Sequence, residues 1–443
     1  MSEVKPQDIL LRVSPKMLER YQSLVVMGAG RGRVAPVPYA FSRADISTCA
    51  TWIDRNGVLH TAAAGIPRIE LVDLDGDGIR ETPGVLLESG RTNALTRSEE
   101  LDNGAWGLSG ATVSANGLTA PDGTASADAL IENAANSAHE FFRATPALTN
   151  NTRSIFSFWV HAASRDWCGI RTDDKAGTIR RTWFNARTGV LGTKDGGHDA
   201  FVMGAGQDIS GSRWRRFGVS FDAASGGAAP QVDGFLASGD GVVTYQGDGA
   251  SGMYFWGMQF ETDQPFPSSY IKTVSSTVAR AADSLTVPFN FGPMDMTTLV
   301  RVARPAHADA GGATLGVSPR MFEMGSPQPT IRAFFNSTAR QLFSQVDTTG
   351  TDTSTAALAI PAGAELAYLT QWKNFGTGGQ VAHDGGSGLS SFSSAASAIS
   401  FYGNQTLYVG RAEFGTSEDL YGNLIDLIIA RGLFSRAEML AIP

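Results

Sequence analysis

Apolar and polar residues alternate in short runs along most of this chain, the period-two pattern of strands that bury one face. In 154–161 (SIFSFWVH), Phe156, Phe158 and Val160 share a face, and in 216–221 (RFGVSF) Phe217, Val219 and Phe221 do the same. In 253–260 (MYFWGMQF) strict alternation puts Tyr254, Trp256, Met258 and Phe260 together. The last third repeats the pattern in 297–303, 365–372, 405–411 and 423–430. Turn residues punctuate these runs. Asn56-Gly57 between WID and VLH predicts a tight hairpin turn, and 73–78 (DLDGDG) predicts another. Helical spacing occurs in two places. Ser14-Pro15 suits an N-cap and first helical position, and Met17, Leu18, Tyr21, Leu24 and Val25 then predict a helix near 15–25. At the other end Ser435 and Glu438 form a capping box, with Phe434 and Met439 placed as a hydrophobic staple.

The expected fold class is mostly β: two antiparallel jelly-roll or β-sandwich domains after a small β region and a short N-terminal helical anchor. The expected boundaries are 1–38 for the anchor helix and arm, and 39–90 for the small β opening region. A jelly roll like those of carbohydrate-binding modules follows at 91–285, and a second sandwich at 286–443. About three domains is also what 443 residues suggest. No segment repeats at a fixed period, which excludes a solenoid.

Composition narrows the function classes. Charged residues make up 18% against an average of about 25%, and glycine is abundant at 51 residues, as many turns between short strands require. The net charge of −8 argues against a nucleic-acid partner. The densest basic cluster, Arg213, Arg215 and Arg216 around Trp214, reads better as a solvated strand face than as a phosphate site. Two cysteines, Cys49 and Cys168, make neither a disulfide framework nor a metal set, and reduced, half-buried thiols are expected. No apolar run is long enough to span a bilayer, and MSEVKPQDIL has no apolar core of a signal peptide, so a chain soluble in the cytosol where it is made is expected.

Residues 91–128 hold Arg91-Thr92-Asn93, Ser98-Glu99, Asn103 with Trp106, Ala120 to Thr124, and Ala127-Asp128. Phe41 to Ala44 and 54–67 (DRNGVLHTAAAGIP) precede them. Tyr254 to Glu261, Ser269-Tyr270-Ile271 and Arg280 to Asp283 follow. In this order and spacing the stretch 39–285 resembles bacteriophage virion proteins of the head-spike, head-fibre and tail-fibre kind. The end of the chain (Gly422, Leu424, Ile425 to Ile429, Leu433, Ser435, Glu438) resembles the last strand and helix of laminin-G-like, concanavalin-like lectin sandwiches. The resemblance implies a non-enzymatic virion protein, made in bacterial cytoplasm and carried on the particle. It would attach to other virion proteins through Met17, Leu18, Tyr21 and Leu24. It would bind host surface polysaccharide, as a homo-oligomer with a trimer favoured, without nucleic acid or membrane insertion. Many copies would turn weak single-site contacts into avidity. The alternatives are a purely structural capsid decoration or collar component, and a polysaccharide-degrading tail spike.

Candidate chemistry is sparse. Aromatic faces that could pack sugar C–H faces are Trp167, Trp183, Trp372, Tyr402 and Tyr408, with Asp173 and Asp174 near the first two to bind hydroxyls; each aromatic is more often core than platform. No cofactor is expected to be required. Asp73, Asp75, Asp77 and Glu81 have the alternate-acid spacing of a Ca²⁺ loop, but Gly84 stands where a bidentate acid should, and a polar hairpin turn is the favoured reading. Gly28 and Gly30 imitate a dinucleotide turn that Arg33, Pro36 and Pro38 spoil. His383-Asp384 lacks a nucleophile elbow and reads as loop. The acid pairs Glu99-Glu100, Asp173-Asp174 and Asp233/Asp240 carry no mark of a catalytic dyad.

Overall fold

The computed structural model describes residues 9–15, 24–27, 34–37, 39–44, 49–72, 81–209, 212–227, 230–264, 267–291, 295–303, 320–324, 330–335, 341–348, 351–354, 358–359, 365–373, 380–384, 393–394, 403–410 and 422–441. These residues are almost wholly β, in antiparallel sheets that stack as two sandwiches.

The first sandwich is the expected jelly roll. Its sheet I runs, in spatial order, Gly107–Ser109, His139–Ala144, Gln231–Ala237, Trp167–Asp173, Ile179–Asn185 and Leu191–Lys194. Sheet II runs Ala111–Thr119, Ala125–Glu132, Gly252–Glu261, Arg153–Ala162, Ser212–Asp222 and His198–Ile209. The core between them holds Phe156, Phe158, Val160, Phe217, Val219 and Phe221, on the faces the alternation predicts. Each such side chain contributes about 1.5–3 kcal/mol by burial.

Strand Gly252–Glu261 departs from strict alternation. Its register against Arg153–Ala162 slips between Ser157 and Trp159, and Gly257 there has φ +66°. A left-handed glycine at a bulge adds one residue and reverses the faces beyond it. Met253, Phe255, Met258 and Phe260 therefore share the core, while Tyr254 and Trp256 point to the other side. A Cβ on Gly257 would also lie 2.9 Å from the Trp159 ring.

The opening segment is not a separate β region. Its hairpin Thr51–Ile53/Leu59–Thr61 lies over the outer face of sheet II, where Leu59 and Ile53 pack with Trp159, Trp214, Trp256 and Tyr270. The Thr51 hydroxyl donates to the Tyr270 carbonyl at 2.6 Å. Around the Asn56-Gly57 turn, Asp54 accepts from the backbone N–H of Asn56 and Val58.

The second sandwich takes strands from both ends of the chain. Sheet III centres on Gly422–Arg431, which pairs with Met296–Ala303 on one side and with Ile9–Val13 and Thr82–Leu87 on the other. Arg68–Val72 pairs with Thr82–Leu87. Sheet IV includes Ser284–Phe291, Gly403–Val409, Arg320–Met324 and, at its edge, Ala40–Ser42. Leu11, Val13, Val85 and Leu87 join Val300, Tyr368, Trp372 and Leu427 in one core, and Arg12 pairs with Asp426 at 2.7 Å. The expected boundaries at 38/39 and 285/286 thus do not separate the sheets, because residues 9–13, 40–42, 68–72 and 82–87 complete the C-terminal sandwich. The jelly roll is an insertion within it.

Two features close the base of the insertion. Arg91–Asn93 and Val278–Arg280 pair as a short ribbon, so the outgoing and returning chains run side by side. Beside it lies a fully buried ion cluster. Asp283 binds Arg43 (3.1 Å) and Arg68 (2.5 Å), and Glu88 binds Arg68 (2.7 Å) and Arg280 (3.4 Å). Ser269 donates to Glu88 through its N–H and hydroxyl, both at 2.7 Å, and the Glu88 N–H donates to Asp283 at 3.0 Å.

The helix expected near 15–25 does not include Leu24 and Val25. Pro15 is helical, 16–23 (with Met17, Leu18 and Tyr21) lie outside the described residues, and Leu24–Met27 is a strand pairing with Val34–Val37. At the other end the helix Arg436–Leu440 begins with the expected capping box, and Phe434 and Met439 share a cluster.

Candidate functional site

Asn93, Ser98, Glu99, Trp106 and Asp128, which carry much of the virion-protein resemblance, are spent inside the fold, whereas Thr92 and Thr124 are exposed. Asn93 is fully buried. Its amide donates to the Met258 and Ile271 carbonyls (3.0 and 2.9 Å), and its oxygen accepts from the Leu95 and Phe260 N–H groups. Ser98 bonds Tyr270 Oη at 2.7 Å and accepts from the Thr273 N–H. Glu99 accepts from Tyr270 at 3.0 Å and from Lys272 at 2.5 Å. Burial pushes its carboxyl up, and Lys272 only partly offsets that. Asp128 caps the N–H groups of Leu101 and Asn116, and Trp106 Nε1 donates to the Arg97 carbonyl. These groups fix loops to strands and leave no reactive atom in the open.

The outer face of sheet I offers more. Register sets its rows: Glu140, Phe235, Gly169 and Trp183 stand opposite one another, then Phe142, Asp233, Arg171 and Arg181. Phe141, Ile170 and Phe184 point the other way into the core. In the first row Trp183 meets Phe235 edge-on at 5.8 Å. It is only 6% exposed, because the turn after Gln231–Ala237 folds over it: its Nε1 donates to the Val242 carbonyl at 3.2 Å, and Val243 packs on the cluster. Trp183 is therefore not an open platform. Trp167, in the same cluster, is half-buried. Its ring edge and the Asp240 carboxylate leave no room for a Cβ at Gly192. Asp240 accepts from the Thr193 N–H (2.7 Å) and hydroxyl (3.0 Å). A half-open indole edged by an exposed carboxylate and hydroxyl can pack a sugar's C–H face and bind its hydroxyls.

The second row is polar. Asp233, fully buried, pairs with Arg171 and accepts from Gln231 Nε2 at 2.7 Å. Burial raises its carboxyl, against the pull of Arg171. Glu140 is half-buried, and burial and then Asp233 push its carboxyl up, with Arg171 and Arg181 pulling it back.

The other expected site residues fall elsewhere. Asp173 and Asp174 end the strand that Trp167 begins, about 20 Å away at some 3.3 Å per residue, so they do not flank it. Both shape a turn. Asp173 accepts from the N–H groups of Lys175 and Gly177, and Asp174 from those of Ala176 and Thr178. Burial raises the Asp174 carboxyl, but the bonds from Thr178 and Ala176 and then Arg180 bring it below its ordinary value. Trp372 is fully buried in the second core and is no platform. Tyr402 and the acids Asp73, Asp75 and Asp77 lie outside the described residues; Glu81 is exposed, and its N–H donates to the Val72 carbonyl. Among the described residues no group of acids, histidines or cysteines is placed to hold a metal ion.

Three other groups differ from expectation. Arg215 and Arg216 are not a solvated face. Both are buried, with Arg215 donating to the Ala186 carbonyl and Arg216 to that of Ser268. Both thiols are fully buried rather than half-buried. His383 lies in strand Gln380–Asp384, not in a loop, and its Nδ1 is 3.0 Å from Tyr368 Oη. Tyr368 in turn bonds Ser344, so a tyrosine stands between the serine and the histidine. Sequence reasoning missed Glu140, Arg171 and Arg181; alternation from Trp183 would have put Arg181 on its face.

No family model matches the chain, and no curated protein matches it. Among solved structures the chain is similar to domains LG4-5 of the mouse laminin alpha1 chain, with 10% identity over 69% of this chain and 90% of that one, at a TM-score of 0.23.

Proposed function

We propose that this chain is a bacteriophage virion protein, a head spike or fibre or a tail fibre or tip component. In this reading it projects from the particle and binds host surface glycan without cleaving it, over the outer face of sheet I. The observation that carries the reading is how the signature closes on itself. Its first motif supplies Arg43 and its last supplies Asp283, and the two form one buried ion pair at 3.1 Å. The stretch 39–285 thus starts and ends at one place, the edge of the C-terminal sandwich from which the jelly roll is inserted. Glycan contact is supported by the half-open Trp167 beside Asp240 and Thr193. Oligomerisation, with a trimer favoured, and attachment through the N-terminal segment belong to the same reading.

The test has two arms. Gold-labelled antibody to this chain should decorate phage particles in negative stain; particles without label would sink the virion reading. Purified chain should bind a glycan array, and Trp167→Ala should weaken that binding roughly tenfold, the size of one lost ring contact. Labelled particles with no glycan bound would instead favour a purely structural part, the reading to which the covered Trp183 points.

A further inference from the structure

We infer that Arg181 receives a sugar carboxylate, so that the glycan bound over sheet I is an acidic one carrying uronic- or nonulosonic-acid residues. The inference rests on the glycan-binding reading above and adds the class of ligand.

Three observations carry it. First, Arg181 is on the outer face. Its strand neighbours Thr182 and Phe184 turn inward, Thr182 onto the buried His198 at 2.9 Å and Phe184 into the core, so Arg181 and Trp183 turn outward. Second, its guanidinium makes no direct bond among the described residues, although it lies near enough to Glu140 and Asp233 to favour their charged forms. Its cross-strand neighbour Arg171 is tied to Asp233, Arg180 to Asp174 and Arg165 to Glu132, but Arg181 makes no ion pair or side-chain hydrogen bond among the described residues. Asp195 meets it through the backbone alone, accepting from the Arg181 N–H at 2.9 Å. Third, Arg181 Nε is shut off from solvent with no partner. The terminal nitrogens Nη1 and Nη2 are not sealed in the same way, and they are the atoms that a ligand can reach. The planar fork matches a carboxylate with two parallel bonds.

The surroundings suit a pyranose. Arg181 lies two residues from Trp183 along the strand, about 7 Å, and the half-open Trp167 sits on the next strand. Trp167 stands opposite Asn185, four residues or about 13 Å along the strand from Arg181, so one sugar residue would pack on Trp167 and a neighbouring residue of the same glycan would present its carboxylate to Arg181. Phe142 and Glu140 continue the same face across two further strands, which gives an extended chain room to lie across the sheet.

The full-length chain should be applied to an array of uronate-containing, sialylated and neutral glycans, and to the same acidic polysaccharides after carbodiimide–borohydride reduction of their carboxyls. Binding should concentrate on the carboxylated glycans and fall roughly ten- to a hundredfold on reduction, the value of a charge-assisted hydrogen bond. Arg181→Gln should give the same loss with an unchanged melting temperature, and Arg181→Lys should recover only part of it. Binding to neutral glycans, or binding indifferent to carboxyl reduction, would overturn the inference and leave the glycan reading standing. No binding to any glycan would overturn both. Reduction of the ligand needs no variant, so a misfolded Arg181→Gln could not mask the answer.

Discussion

The ion cluster at the base of the inserted jelly roll predicts a large, localised cost for Asp283→Asn. The native carboxylate meets Arg43 at 3.1 Å, Arg68 at 2.5 Å and Arg280 at 3.8 Å, and accepts the Glu88 N–H. All of these side chains are sealed from solvent. Asparagine keeps the shape and removes the charge, leaving three guanidinium groups around Glu88 alone. Breaking a buried pair by removing one partner costs about 3–5 kcal/mol. For a unit of roughly 150–250 residues that lowers the melting temperature by about 6–20 °C. The assay is urea unfolding followed by tryptophan fluorescence, with thermal melts alongside. Arg187→Ala is the control, because its 2.7 Å pair with Asp166 has both side chains about half exposed and should cost about 0.2–1 kcal/mol. If Asp283→Asn costs no more than Arg187→Ala, the cluster does not hold the two sandwiches together and the reasoning fails.

Acid should destabilise the protein in two stages. Burial favours neutral Glu88, but Arg280, Arg68 and Ser269 hold its carboxyl down to about 2, from an ordinary 4.5. Its stabilisation is complete above about 4.5 and lost as pH falls toward 2. Burial, then Arg180 and Lys194, lowers the His198 imidazole to about 3 from 6.5, so its share begins to fall earlier, from about pH 6.5. Melting temperatures from pH 8 to 2 should decline from near 6.5 and steepen below 4.5; a flat profile down to pH 3 would contradict both assignments. Asn93→Ala should strand two carbonyls and two N–H groups in the core, costing upward of about 3 kcal/mol, measured by urea unfolding; a loss below about 1 kcal/mol would mean those groups find other partners.

Alternation made the jelly-roll core legible, because Phe156, Phe158, Val160, Phe217, Val219 and Phe221 each needed one decision, inside or outside. It failed where a single backbone angle intervened: Gly257 at φ +66° moved Met258 and Phe260 to the face opposite Trp256. The terminal capping box was legible because all its partners lie within four residues. The insertion was not, since the pairing of Ile9–Val13 with Gly422–Arg431 joins segments some 400 residues apart and leaves no local trace. The site was half-legible. Trp167 and Trp183 are indeed on one face, but the covering of Trp183 by Val242 and Val243 depends on a loop that no period describes. Asp173 and Asp174 looked adjacent to Trp167 in sequence, yet an extended strand carries them to its far end.

The ribbon of Arg91–Asn93 with Val278–Arg280 changes how the jelly roll would answer a pull. A domain hung from one peptide swivels freely and passes little torque to whatever it is mounted on. Here two hydrogen-bonded chains leave and return together, so twisting the module must shear the ribbon and crush the arginine cluster beside it. A force dragging on sheet I would then turn the C-terminal sandwich as well, so the two sandwiches would rotate as one body.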